Sequence, residues 1–189
     1  MLSESTKTQF ESFLRQAAEQ QNKTDWDAVL EQWKKDVNSL YESVEGILKK
    51  YVEKKLILCC RKEISLVEEA LGAYVIDQME LHMGSHIVRL IPKGRIIIGA
   101  RGRVDVVSGG RICKLVLVPE DVQTYKLRVS TFHGRHTEQT DKTPISLTSE
   151  EQCVWKIATP PPQITYKELN ENNLIELLME LIGERAVSD

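Results

Sequence analysis

The sequence predicts an α+β protein in which an antiparallel β-sheet meander of about six or seven strands is packed by a long N-terminal amphipathic helix and followed by a short C-terminal helix. Three observations support this prediction. Apolar residues recur at helical spacing over residues 25–54, and a leucine-rich helical pattern returns over residues 170–183. Between them, residues 56–159 contain short apolar or alternating segments that glycine- and proline-containing turns separate. Turn signals at intervals of roughly 8–12 residues favour an antiparallel meander over a βαβ arrangement.

Length and composition are those of a globular protein. The chain has 189 residues, which favours a single domain over residues 1–189, and its hydrophobic fraction of 41% is ordinary. The net charge of −3 gives the whole chain no strong field for nucleic acid or an anionic membrane. No window approaches the roughly 18 consecutive apolar residues of a membrane-spanning helix, and no signal peptide is recognisable. We therefore expect a cytoplasmic, bacterial-type protein without a membrane partner.

Two helices are predicted before the sheet. The first covers residues 5–21, where Phe10, Phe13 and Leu14 lie at helical spacing. The second covers residues 25–54 and begins after Thr24, which with Asp27 resembles a capping box. Its apolar stripe advances in alternating steps of four and three residues: Trp26, Leu30, Trp33, Val37, Leu40, Val44, Ile47 and Tyr51. This stripe packs across the sheet or forms a coiled-coil seam, so a homodimer through the 25–54 helix is the alternative to packing within the chain.

The sheet region shows its strands through alternation and its turns through glycine and proline. Residues 74–83 alternate, with Val75, Asp77, Met79 and Leu81 on one face. Turns are predicted at 84–85, at 92–94 and at 108–110. An irregular loop is expected over about 119–152. The C-terminal helix, 170–183, is expected to begin with Asn170 as its cap and to end at Gly183.

Basic residues cluster in the middle of the sheet region. Counting in steps of two places Arg95, Arg101 and Arg103 on one face, and Arg111 follows the next turn. Guanidinium groups on one face bind carboxylate or phosphate bidentately, so these four arginines are the candidate binding residues. The alternative is an ordinary solvated sheet face on which the arginines pair with acidic strand residues: Asp77, Glu80 or Asp105.

Neither a metal site, a cofactor nor a catalytic residue is predicted. The four cysteines, Cys59, Cys60, Cys113 and Cys153, contain no Cys-x-x-Cys pair and lie in apolar segments typical of unreactive thiols. The histidines fall into two distant pairs, 82 with 86 and 133 with 136, which nothing in the sequence connects.

No motif identifies a chemistry, and this favours a small binding or regulatory protein that is not an enzyme. We expect its arginine-bearing sheet face to contact an acidic protein or a phosphate-bearing ligand. The helix face that carries Tyr41 is a second candidate contact surface. Nucleic acid is disfavoured, because the arginine-bearing segment offers no aromatic platform. The alternative function is a metal-dependent enzyme that acts on a nucleotide or phosphodiester substrate, with the arginines as phosphate anchors and the same three acidic residues as metal ligands.

Overall fold

A computed structural model describes the chain over residues 7–15, 25–95, 100–122, 124–125, 152–160 and 164–183. Within these ranges the helices are α1 (7–15), α2 (Trp26–Glu53) and α3 (Glu171–Ile182). The strands are β1 (Leu58–Glu68), β2 (Gly72–Met83), β3 (His86–Gly94), β4 (Gly102–Ser108), β5 (Arg111–Pro119), β6 (Thr124–Tyr125), β7 (Cys153–Ala158) and β8 (Ile164–Glu168).

The strands form one antiparallel sheet in the order β1-β2-β3-β4-β5-β7-β8-β6. Strands β1 to β5 follow one another as a meander, and β6 is a two-residue strand that pairs with β8. The predicted α+β class, with an antiparallel meander and two packing helices, is therefore confirmed. Among the described strands β1 pairs only with β2, so β1 forms an edge of the sheet, and its middle carries three consecutive exposed charges, Arg61, Lys62 and Glu63.

Helix α2 begins one residue later than the capping-box pattern suggested. The cap is Asp25, whose Oδ1 accepts a hydrogen bond from the main-chain nitrogen of Ala28 at 2.9 Å. Thr24 lies outside the described residues. Both predicted ends of α3 are confirmed: the Asn170 side chain accepts from the nitrogen of Asn173 at 3.0 Å, and Gly183 ends the helix with a left-handed φ of 89°.

The hydrophobic core lies between one face of the sheet and the helices α2 and α3. Six residues of α2 are at most 1% exposed, namely Trp33, Val37, Leu40, Tyr41, Val44 and Leu48. They pack on β2, β3, β4, β5 and β7 together with the leucines of α3. Because these buried residues of the α2 stripe pack within the chain, they cannot form a coiled-coil seam with a second chain. Tyr41, expected to offer a contact surface, is part of the core.

The alternation in β2 changes phase at Asp77. Tyr74 and Ile76 are buried in the core, and so are Met79 and Leu81, so the strict period of two predicted for residues 74–83 is wrong. The physical reason is that β2 pairs with β3 only from Met79 onward. Where the two strands diverge, the single proton of the Tyr41 hydroxyl is shared between the carbonyl oxygens of Asp77 at 2.8 Å and Leu90 at 3.2 Å.

The turn predicted at residues 92–94 is also wrong, because β3 continues through Pro92 to Gly94. The pairing with β4 shifts register between Pro92 and Gly94. Pro92 has no main-chain N–H to donate to a neighbouring strand. It is tolerated because the pairing of β3 with β2 ends at Leu90, so β2 does not require a hydrogen bond from Pro92. The two-residue turn between β4 and β5 is confirmed, with Gly109 and Gly110 at φ 53° and 81°.

The second face of the sheet is covered over β5, β7 and β8. A small cluster of Ala100, Val116, Val118 and Ala158 is buried there against Ile164 and Tyr166. At the same end Lys156 is buried, and its Nζ donates to the carbonyl oxygens of Glu120 and Val122 at 2.6 and 2.9 Å. Over β1 to β4 and the first half of β5, neither α2 nor α3 lies on this face, because both pack in the core on the other side of the sheet.

Helix α1 confirms a helix within the predicted range 5–21, although only residues 7–15 are described. All nine of these residues are exposed, including Phe10 at 61% and Phe13 at 63%. Of the predicted loop 119–152, most lies outside the described residues.

Candidate functional site

The four arginines predicted to bind a ligand lie in three different places. Arg95 and Arg101 are buried, with 4% and 8% of their surface exposed, so they do not form a binding face. Arg103 lies on the second face of the sheet, and Arg111 lies at the C-terminal end of α3. The shared face that counting in steps of two predicted for the first three is therefore not formed.

Arg95 follows the end of β3 and connects it to α2 through hydrogen bonds. Its Nη1 donates to Asp36 Oδ2 at 3.1 Å and to the carbonyl oxygen of Arg101 at 2.6 Å, and its main-chain nitrogen donates to the Glu68 carboxylate at 3.0 Å. Burial lowers the pKa of the guanidinium, and the Asp36 carboxylate opposes this effect.

The same region contains two further links between distant parts of the chain. The Trp155 indole donates to the carbonyl oxygen of Asp36 at 3.0 Å, and the Trp33 indole donates to the Tyr74 hydroxyl at 3.1 Å. Tyr74 in turn donates to Glu68. These contacts connect α2 with β1, β2, β3 and β7, so Arg95 stabilises the fold.

Arg111 binds the end of a helix. Its Nη1 donates to the carbonyl oxygen of Glu180 at 2.8 Å, close to Gly183, where the last carbonyls of α3 have no partner within the helix. A cation at this end is also favoured by the helix dipole. Arg111 therefore has a structural role as a cap of α3.

Arg103 differs, because it lies on the second face beside an acidic neighbour. Its Nε and Nη2 donate to the two carboxylate oxygens of Asp105 at 2.7 and 2.8 Å, and this contact raises the pKa of the guanidinium. The side chain of Asp105 is 5% exposed, whereas that of Arg103 is 32% exposed. The pairing of Arg103 with Asp105 is the one expected for an ordinary solvated sheet face.

The strand registers group the residues that surround Arg103 and its basic neighbours on the face that neither α2 nor α3 covers, and we call this group the open face. Residues directly opposite one another in neighbouring strands point to the same side. Arg89 is opposite Glu80 and Val107, Asp105 is opposite Ile91 and Lys114, and Val107 is opposite Ile112. The open face consists of Leu58, Cys60, Lys62, Glu80, His82, Ile87, Arg89, Ile91, Arg103, Asp105, Val107, Ile112 and Lys114.

Glu80 lies at the centre of a basic cluster on the open face. Its carboxylate is within 2.7 Å of Lys62 Nζ, 3.1 Å of Arg89 Nε and 3.3 Å of His82 Nε2. Hydrogen bonds from Lys62 and Arg89 lower the pKa of Glu80 to about 2. The carboxylate is therefore charged at any pH at which the protein is ordinarily handled.

Positive charge is exposed on the open face, whereas negative charge is buried. The side chains of Lys62 and Arg89 are 58% and 46% exposed, and Lys114 is also exposed. Glu80 and Asp105, by contrast, have side chains only 4% and 5% exposed. With Arg103, the open face has four basic and two acidic side chains, although the whole chain carries a net charge of −3. A molecule that approaches this face meets the basic groups first.

The acidic residues expected to bind a metal in the alternative function are separated. Glu80 and Asp105 are engaged by basic side chains, while Asp77 lines a groove of about 220 Å³ between α2 and the β1–β2 hairpin. In the part of the chain that the structure describes, no group of three His, Cys, Asp or Glu residues is arranged to hold a metal ion.

Sequence reasoning missed Arg89 and Lys62 as members of the exposed basic group. The pairing of β1, β2 and β3 is what brings these two residues together. The turn at 84–85 places Arg89 opposite Glu80, and the hairpin through Gly72 brings Lys62 to Gln78, close to the same carboxylate. Pairing the predicted strands residue by residue across their turns would have grouped Arg89 and Lys62, whereas counting in steps of two within one segment does not.

None of the described helices has the length and apolar character required to cross a membrane. No protein-family model, no curated protein and no solved structure matches this chain.

Proposed function

We propose that this chain is a small cytoplasmic binding or regulatory protein, not an enzyme, and that its open face contacts an acidic partner. The observation that carries the proposal is the difference in depth between the two charges. Three of the four basic side chains of the open face are exposed and Arg103 is partly exposed, whereas both carboxylates are buried. The residues that make the contact are Lys62, Arg89, Arg103 and Lys114. Of the four arginines that the sequence suggested as binding residues, this proposal retains only Arg103.

The buried carboxylates support binding by holding the basic groups in place. Arg103 is fixed by two hydrogen bonds to Asp105, and Lys62 and Arg89 are both fixed by Glu80. Side chains that are already ordered lose less conformational entropy when a partner arrives. Complementary charge also accelerates encounter and excludes partners of the wrong sign, and its effect weakens as salt is added.

The metal-dependent enzyme is not favoured by any observation on the described residues. Glu80 and Asp105 are occupied by basic side chains, and Asp77 contributes to a different groove. We therefore make a single functional proposal.

The test removes two exposed positive charges, but each buried carboxylate keeps one basic partner. In the double variant Arg89→Gln with Lys114→Gln, Glu80 keeps Lys62 and Asp105 keeps Arg103. The matched control is Lys35→Gln with Lys49→Gln, which removes the same charge from exposed positions on α2, on the other side of the sheet. The probe is fluorescent poly-glutamate, with binding followed by anisotropy over a range of salt concentrations.

We expect the wild type and the control to bind this probe with salt-dependent affinity and the open-face variant to bind about tenfold more weakly, a change of about 1.4 kcal/mol. All three proteins should melt at closely similar temperatures. Equal binding by the control and the open-face variant, or no binding by the wild type, would refute the proposal.

A further inference from the structure

We infer that the acidic partner is a protein segment that carries aliphatic side chains between its carboxylates; this inference rests on the proposed function of the open face. Apolar residues lie among the basic residues of the open face, and they determine what the partner must offer besides negative charge.

The open face exposes aliphatic surface as well as charge. Ile112 is 59% exposed and Leu58 is 61% exposed. Three further aliphatic residues of the open face are partly exposed, namely Ile87, Ile91 and Val107. Aliphatic side chains at this density favour a partner that removes them from water, since burying apolar surface is favourable. Poly-anions without apolar groups would leave that surface in contact with water.

Two of the aliphatic residues, Val107 and Ile112, lie directly next to the cations of the open face. Arg89, Val107 and Ile112 follow one another across three adjacent strands, and Lys114 is the next residue on the open face of β5 after Ile112. With strands about 4.8 Å apart and alternate residues about 6.7 Å apart along a strand, the Cα atoms of Arg89 and Lys114 are separated by about 12 Å. A partner that reaches both cations therefore passes over β4 between Val107 and Asp105, with Ile112 beside Lys114, so it lies against aliphatic surface.

A peptide segment matches this spacing. A distance of about 12 Å corresponds to roughly eight residues of α-helix, at 1.5 Å per residue, or to about four residues of extended chain. In both cases the two carboxylates lie on the same side of the segment, with room for an apolar side chain between them. A single phosphate group has no apolar part, so it would leave Val107 and Ile112 in contact with water.

Nucleic acid is a poorer match for the same surface. Single-stranded nucleic acid binds through a basic groove together with aromatic side chains on which the bases stack. The open face, as defined by its thirteen residues, contains no Phe, Tyr or Trp. Aliphatic side chains next to cations favour a protein surface instead.

The experiment compares three probes of matched charge. The first is a helical peptide of about 16 residues with glutamate and leucine on one face. The second replaces every leucine of that peptide by serine, and the third is single-stranded oligo-thymidylate. Each is titrated into the full chain, into Ile112→Ser and into Val67→Ser. Val67 is 80% exposed on β1 near the β1–β2 turn, five residues after Lys62 and not among the thirteen residues of the open face. Its variant therefore controls for the loss of an exposed aliphatic strand residue away from the cations.

We expect the wild type to bind the leucine peptide about tenfold more tightly than the serine peptide. Ile112→Ser should reduce this preference, and Val67→Ser should retain it. Equal affinity for the two peptides would refute the amphipathic partner while leaving the proposed function intact. Tightest binding of the oligo-thymidylate would assign the open face to nucleic acid and also refute the inference. Failure of both peptides to bind would refute the proposed function itself.

Discussion

Replacement of Gly102 by alanine should destabilise the protein, because there is no space for a side chain at this position. A Cβ atom built there lies 2.4 Å from Cζ3 of Trp33 and 3.1 Å from two other ring atoms. Ordinary carbon–carbon contacts are about 3.5–4.0 Å, so the indole must move by about 1 Å. Trp33 is fully buried, and its Nε1 is held at 3.1 Å from the Tyr74 hydroxyl, so the shift also disturbs the hydrogen bonds that fasten α2 to the sheet.

We expect Gly102→Ala to lower the free energy of unfolding by about 2 kcal/mol, within the range of about 1–3 kcal/mol for overpacked cores. For a chain of this size the corresponding fall in Tm is roughly 4–8 °C. Equilibrium urea denaturation followed by tryptophan fluorescence measures the first quantity and calorimetry the second.

Gly46 provides the matched control. It is exposed in the middle of α2, and a Cβ atom built there has nothing within 4 Å. Gly46→Ala should therefore raise stability by roughly 0.5–1 kcal/mol through helix propensity alone. If Gly102→Ala were as stable as the wild type, the packing of Trp33 against β4 would be wrong.

Three other changes test the remaining polar contacts. Asp36→Asn leaves the buried Arg95 guanidinium without its carboxylate and should lower the free energy of unfolding by about 3 kcal/mol in urea denaturation; an unchanged midpoint would contradict the role of Arg95 in holding α2. Tyr41→Phe leaves two main-chain carbonyl groups without their donor and should cost about 1–3 kcal/mol, measured in the same way; no loss would show that the diverging strands do not need this hydroxyl. Glu80, with its pKa lowered to about 2 from an ordinary 4.5, contributes stability that is present above pH 4.5 and is lost as the pH falls through 2. Urea midpoints measured across this window should fall less steeply with acidification in Glu80→Gln than in the wild type, and identical slopes would exclude the basic cluster around Glu80.

Much of the fold could be predicted because it follows from local pattern. The stripe of α2 has one period over its whole length, and its residues are buried as that period requires. The cap at Asn170, the stop at Gly183 and the tight turn at 109–110 depend on the conformational preferences of single residues. None of these features requires knowledge of what lies elsewhere in the chain.

The candidate site could not be predicted in the same way, because it depends on register between strands. The count that grouped Arg95 with Arg103 assumed an uninterrupted strand from one to the other, whereas β3 ends at Gly94 and β4 begins only at Gly102. Arg95 lies in the interior beside Asp36. The phase change at Asp77 likewise arises where β2 and β3 diverge, a feature of three-dimensional pairing. The open face is assembled from residues of β1 to β5, and the pairing of these strands alone brings them together.

The charged middle of β1 has a consequence for the behaviour of the molecule at high concentration. An edge strand of eleven residues presents main-chain donors and acceptors that could template the strand of another molecule. A second chain that docked along this edge would have to place its own side chains beside Arg61, Lys62 and Glu63, which are all exposed. Charged residues on an edge strand oppose strand addition, so the same segment that completes the sheet also protects it from aggregation.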